Sequence, residues 1–136
     1  MKRTIVLTGS PITKKNSQRI ITVKGRAMII PSKQYKDYEK QCLRQLIEKQ
    51  DPIYWPCNIK CIYYMPTRRR VDLVNLIEAT MDILVAAGVL MDDNCRIAAS
   101  HDGSRVFYDK RNPRVEIEIE GEKEQMDIFD LLKEKE

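Results

Sequence analysis

Apolar positions recur along this chain with two different periods. Residues 2–8 are rich in Ile, Val and Leu, which predicts a strand closed by Gly9-Ser10-Pro11. Residues 19–23 and 27–30 are short β-prone runs around Lys24-Gly25-Arg26, which predicts a hairpin. The period then changes. Tyr35, Tyr38, Cys42, Leu46 and Ile47 fall on one face at helical spacing, so a helix capped by Ser32 is expected to run to about Gln50, ahead of Pro52. Residues 57–64 return to alternation: Cys57, Ile59, Cys61 and Tyr63 share one face of a strand. A second helix is predicted over residues 73–87, with Leu73, Leu76, Ile77, Thr80, Ile83, Leu84 and Ala87 as its buried stripe. Asp72 is placed to cap its start and Gly88 to follow its end. A strand at 95–100, a long hairpin connection at 101–112 and a last strand at 114–119 complete the pattern. In that last strand Val115, Ile117 and Ile119 alternate with Glu116, Glu118 and Glu120, which predicts one wet face. The order indicates an α+β fold: a mixed β-sheet with two main helices packed mainly on one side.

A length of 136 residues suits one domain. Gly121 closes it, dividing the chain into a body at 1–120 and a tail at 121–136. No apolar run approaches the roughly 18 residues of a membrane span, and the apolar start is too short for a signal peptide, so a cytoplasmic protein without a membrane partner is expected. The four cysteines form no CxxC pair, and four free thiols are expected. Charge divides unevenly. Residues 120–136 hold seven acids and three lysines, a balance of −4, which leaves +8 on the other 119 residues of a chain with net charge +4. A basic body points to a polyanionic partner, and an acidic tail to a different one.

The candidate chemistry lies between Met65 and Asn94. Arg68, Arg69 and Arg70 stand just ahead of Asp72, and the Asp92-Asp93 pair follows the helix end. Arginines clamp phosphates bidentately, and carboxylates hold a hard cation such as Mg2+ that assists phosphodiester hydrolysis. A fifteen-residue helix is about 22 Å long. The returning loop must therefore bring Asp92 or Asp93 back toward Asp72, or another subunit must share the site. On the helix, Val74, Glu78 and Asp82 share a face at i, i+4 and i+8, with Asp82 read as a solvated acid. Lys14, Lys15 and Arg19 form a polar basic segment that fits either phosphate contacts or a solvated turn.

The stretch MPTRRRVDLVNLIEATMDILVAAGVLMDDN resembles the core of the RusA family of Holliday-junction resolvases: basic residues, D-L-D-N-L, a helix, a glycine, then D-D about twenty residues on. Asp72, Leu73, Asn75, Leu76, Asp82, Gly88, Asp92 and Asp93 carry the match, and it extends more loosely over 1–120. The resemblance implies a RusA-like fold and a dimeric, Mg2+-dependent endonuclease, with Mn2+ as an alternative ion, that cuts four-way or branched DNA in recombination and repair. It carries Asp72 and Asp93 over as metal ligands, with Asp92 beside them. Two departures stand out. Val74 occupies the family's second aspartate position, and Glu78 occupies that of a functional lysine. Glu78, one helical turn from Val74, is the expected substitute ligand. The lysine's role then falls to Lys14, Lys15 or an arginine of 68–70. The alternative is a catalytically weak or inactive branched-DNA-binding or clamp-adaptor protein; a third reading is an interaction domain without nucleic acid. In the tail, Gln125-Met126-Asp127-Ile128-Phe129 resembles the Q-L-[S/D]-L-F peptide that binds the bacterial β sliding clamp. There Gln125 would bond at a pocket rim while Met126, Ile128 and Phe129 fill apolar pockets. A short helix docked on the body is the other reading.

Overall fold

A computed structural model describes residues 2–14, 18–48 and 50–121. In chain order these form β1 (Lys2–Thr8), β2 (Gln18–Val23), β3 (Arg26–Pro31), α1 (Lys33–Gln45), β4 (Cys57–Met65), α2 (Leu73–Ala86), β5 (Ala98–Ser100), β6 (Arg105–Tyr108) and β7 (Arg114–Gly121). The main sheet runs β1-β7-β4-β5, with β6 also paired to β4, and β2 and β3 form a separate two-stranded hairpin. This is the mixed α+β arrangement expected.

Strand β4 is central because it is apolar on one face along its whole length. Cys57, Ile59, Cys61 and Tyr63 are fully buried. The antiparallel register with β7, and of β7 with β1, aligns them into rows: Tyr63–Val115–Leu7, Cys61–Ile117–Ile5 and Ile59–Ile119–Arg3. Against this face pack Leu76, Ile83 and Leu84 of α2 and Tyr38 and Cys42 of α1. Each such aliphatic side chain contributes ~1.5–3 kcal/mol through removal from water. The opposite face is wet, as the glutamates of β7 predicted. Its charges pair across strands: Glu118 meets Lys2 at 3.3 Å and Lys60 at 3.5 Å, which holds its carboxyl below the ordinary glutamate range, Lys2 contributing most. The four cysteines form no disulfide; three are buried and Cys95 is exposed.

A polar contact crosses the core. The Tyr63 hydroxyl lies 2.6 Å from Thr80 Oγ1, whose own hydroxyl donates to the Leu76 carbonyl at 3.0 Å. Tyr63 must therefore be the donor. Tyr63→Phe removes one buried hydrogen bond and leaves Thr80 satisfied through Leu76. It is expected to cost about 1 kcal/mol in urea denaturation, with an unchanged m-value.

Three expectations change. Helix α1 stops at Gln45 rather than near Gln50, and Ile47, expected on its apolar face, is 77% exposed. The Gln45 side chain instead grips the end of β1, accepting from Thr8 N at 2.8 Å and donating to Thr8 O at 3.1 Å. The chain must then extend to bridge Ile53 to Leu90. The strand expected at 95–100 is confined to Ala98–Ser100, because Asn94 turns residues 94–97 by accepting from Ile97 N and Ala98 N. The long hairpin connection is not one: it contains β6, and β5 and β6 both lie parallel to β4, on the edge opposite β7. Between these two short strands, side chains take over the ladder. Ser104 Oγ accepts from Cys61 N at 3.0 Å, and His101 Nδ1 donates to Ile59 O at 2.9 Å. Buried backbone groups on β4 thus stay paired where no strand faces them.

The hairpin turn at Lys24 and Gly25 has φ of 52° and 76°, the left-handed pair that matches strand twist. Among the described residues no helix is long and apolar enough to cross a membrane.

Candidate functional site

Helix α2 sets the site's geometry. Asp72 begins it as N-cap, its Oδ1 accepting from Val74 N at 3.0 Å. This is a local consequence of sequence: a short carboxylate at the cap position satisfies a first-turn N–H and suits the positive helix end. Arg68, Arg69 and Arg70 are all exposed in the approach to this end. Leu76, Thr80, Ile83 and Leu84 turn inward as expected, and Ala79 and Met81 join them. Leu73 and Ile77 are only partly buried. The inward stripe fixes the outward one. Val74 is 69% exposed, Glu78 is exposed, and Asp82 follows one turn later.

Past the helix, Gly88 adopts φ 76° and donates to Val85 O, and Val89 donates to Leu84 O, closing the C-terminus and reversing the chain. Leu90 then bridges to Ile53. The reversed chain carries Asp92 and Asp93. Asp93 N donates to Asp92 Oδ1 at 2.7 Å, and Asn94 Nδ2 donates to Asp92 Oδ2 at 3.1 Å, so the turn is held by its own side chains. The Asp93 carboxyl titrates above the ordinary carboxylate range, first through its hydrogen bond with Asp92, then through partial desolvation and the negative charges of Asp92 and Asp82.

Asp82 forms an ion pair with Lys14, Nζ to Oδ2 3.6 Å. Asp82, expected as a solvated acid and one of the residues matching the family motif, is half-exposed and pairs with Lys14. Its spacing to Glu78 was the signal, but its cation comes from a segment nearly seventy residues earlier.

Ten residues separate Asp72 from Asp82, about 15 Å along a helix. Glu78 stands between the two ends. Among the described residues no three His, Cys, Asp or Glu side chains come close enough to hold one metal ion. The donors are nonetheless the hard carboxylate oxygens that Mg2+ prefers. Of the basic segment, Lys14 is at the site, Lys15 lies outside the described residues, and Arg19 is in β2 with its side chain undescribed. Gln125, Met126, Ile128 and Phe129 also lie outside the described residues.

A second cluster went unseen in the sequence because its strand was hidden in the 101–112 connection. Tyr64 and Phe107 stack at 5.7 Å and 27°, the Arg114 guanidinium lies 3.8 Å from the Tyr64 ring, and that of Arg68 lies 4.5 Å from the Tyr108 ring.

Comparison with curated proteins finds no match. A protein-family comparison finds one, to endodeoxyribonuclease RusA, over residues 8–120. That span includes Lys14, both ends of α2 and the Asp92-Asp93 turn, and it covers most of the chain. A mixed sheet carrying an acid-faced helix with arginines at its entry thus has a family: this chain belongs to the RusA endodeoxyribonucleases.

Proposed function

We propose that this protein is a Mg2+-dependent endonuclease that resolves Holliday junctions and other branched DNA in recombination and repair, acting as a homodimer in the cytoplasm. The observation that carries the reading is the outward face of α2. It presents arginines and Asp72 at one end, Glu78 in the middle, and Asp82 with its Lys14 ion pair toward the other, beyond which the chain reverses into the Asp92-Asp93 turn.

The division of labour follows from chemistry. Arg68, Arg69 and Arg70 bind phosphates through paired N–H donors and position the strand. Asp93, with Asp92 beside it, and Asp72 with Glu78 are the ligands that would hold the ion, which when bound activates water and offsets charge on the phosphate oxygens. Lys14 places a cation next to the scissile position, where negative charge grows. Because Asp72 stands about 15 Å from the Asp82 end of its own helix, we place Asp72 and Glu78 of one subunit opposite Asp92 and Asp93 of its partner. The two-fold symmetry of such a dimer suits a junction that needs paired cuts. An exposed hairpin supports a partner: Ile20 and Ile29, facing each other across β2 and β3, are 73% and 67% exposed, an apolar surface suited to burial.

The test is a synthetic four-way junction. With Mg2+ the protein is expected to nick it and leave a linear duplex of the same sequence uncut, and EDTA to stop the reaction. Junction binding without cuts under either Mg2+ or Mn2+ would overturn the catalytic reading. That outcome is what the second reading, a catalytically weak branched-DNA binder or sliding-clamp adaptor, expects. Val74, a side chain without ligand atoms at a ligand position, is the observation in its favour. In either case the Gln125–Phe129 peptide is the feature we assign to a β sliding clamp.

A further inference from the structure

Strand β6 is an edge strand whose four residues are all exposed. Three are large and apolar or aromatic: Val106 at 37%, Phe107 at 48% and Tyr108 at 41% exposure. Such an edge invites a partner. The register makes it more than a sticky edge. Arg114, Tyr64 and Phe107 occupy one row across β7, β4 and β6. The Arg114 guanidinium lies 3.8 Å from the Tyr64 ring, and the Tyr64 and Phe107 rings stack 5.7 Å apart at 27°. Arg114 is pinned by Asp109 and Glu116, each at 3.0 Å, so the row is built on a fixed base and ends at Phe107, at the sheet edge. One residue on, the Arg68 guanidinium covers Tyr108 at 4.5 Å. Backbone bonding of Asp109 N to Met65 O ties this edge to the segment that carries the arginine run.

We propose that the β6 edge is a stacking platform for unpaired or unstacked DNA bases, with Phe107 as its surface. The proposal rests on the branched-DNA reading above and deepens it, because a branch point is where bases leave the duplex stack. Charge selects the occupant. Arg105, on the same face of β6 as Phe107, is exposed, as are Lys110 and Arg111 just beyond the strand. A second copy added edge to edge would bring these cations against their own equivalents, which is repulsive, whereas a phosphate backbone pairs with them. The two acids of this sheet face nearest the row do not oppose this: Glu116 and Glu118 are already engaged by Arg114, Lys2 and Lys60. An aromatic surface flanked by cations is the physical recipe for binding single strands without sequence preference.

The test compares the wild type, Phe107→Ala and Phe107→Trp on three DNAs at matched salt: a four-way junction with 2-aminopurine beside the branch point, an oligothymidylate, and an intact duplex. Phe107→Ala is expected to bind the junction and single strand about tenfold more weakly, within the range measured for one lost stacking contact. It should lose the 2-aminopurine fluorescence change while keeping duplex affinity, and Phe107→Trp should restore both. A Phe107→Ala protein that matches the wild type on all three DNAs overturns the platform alone. A wild type that binds none of them overturns the branched-DNA reading with it. Dissociation of a wild-type dimer by Phe107→Ala, seen by sedimentation, assigns the edge to a second copy and also overturns the platform. Because Phe107 is half exposed and β6 pairs through its backbone, its truncation leaves the thermal midpoint nearly unchanged.

Discussion

Glu78→Gln is expected to lower metal-dependent cleavage of a four-way junction by on the order of a hundredfold or more, the effect of removing a ligand from an ion worth several kcal/mol of transition-state stabilisation. Junction affinity measured without divalent ion should change little. The argument starts from the outward face of α2. Val74 holds the position one turn before Glu78 and has only methyl groups to offer, yet it is 69% exposed on the same face. A glutamate side chain is longer than an aspartate's and reaches back along the helix toward its own N-terminal turn. It can therefore serve the space beside Val74. Asp82 is a weaker substitute, because it lies two turns from Val74 where Glu78 lies one. Glutamine keeps the shape and helix propensity of glutamate and removes only the charge, so a folding defect is not the expected cause. Rescue sharpens the test. Adding Val74→Asp to Glu78→Gln places a carboxylate at an exposed position without burying it, and single-turnover rates over a Mg2+ series should recover. Full activity of Glu78→Gln alone would sink the substitution idea.

Some of this was legible in the sequence and some was not, for physical reasons. Helix α2 was readable almost to the residue, because a capping aspartate, a helical apolar period and a terminal glycine are all local signals. The same holds for the hairpin turn at Lys24-Gly25 and for the alternation of β7. What failed depended on distant partners. Pro52 bounds α1 but does not end it; the grip of Gln45 on Thr8 and the Ile53–Leu90 bridge do. Four exposed residues, Arg105–Tyr108, carry no burial pattern, and only their docking on β4 makes them a strand. The site divides the same way. Residue types announced cations, carboxylates and phosphate chemistry. Which of them meet was decided by folding: Asp82 found Lys14, while Asp72 stands at the opposite end of the same helix.

That separation yields the second large effect. An equal mixture of Asp72→Asn and Asp93→Asn subunits is expected to cut junctions although neither variant cuts alone. If each site takes Asp72 from one subunit and Asp93 from the other, a mixed dimer contains one doubly substituted site and one intact site. Random assortment makes half the dimers mixed, so roughly a quarter of wild-type sites should return. Each mixed dimer can cut only one strand, so the product on a native gel is a nicked junction rather than resolved duplexes. Asparagine is the right substitution at 72. Its side-chain oxygen can still accept from Val74 N, the bond Asp72 makes at 3.0 Å, so the helix keeps its cap and loses only the charge. Alanine would confound the result with about 1 kcal/mol of lost capping. Co-expression of two differently tagged subunits, purified through both tags, isolates the mixed dimer. If that dimer is as inactive as its parents, the site is not shared between subunits, and a loop movement within one chain must bring Asp93 toward Asp72 instead.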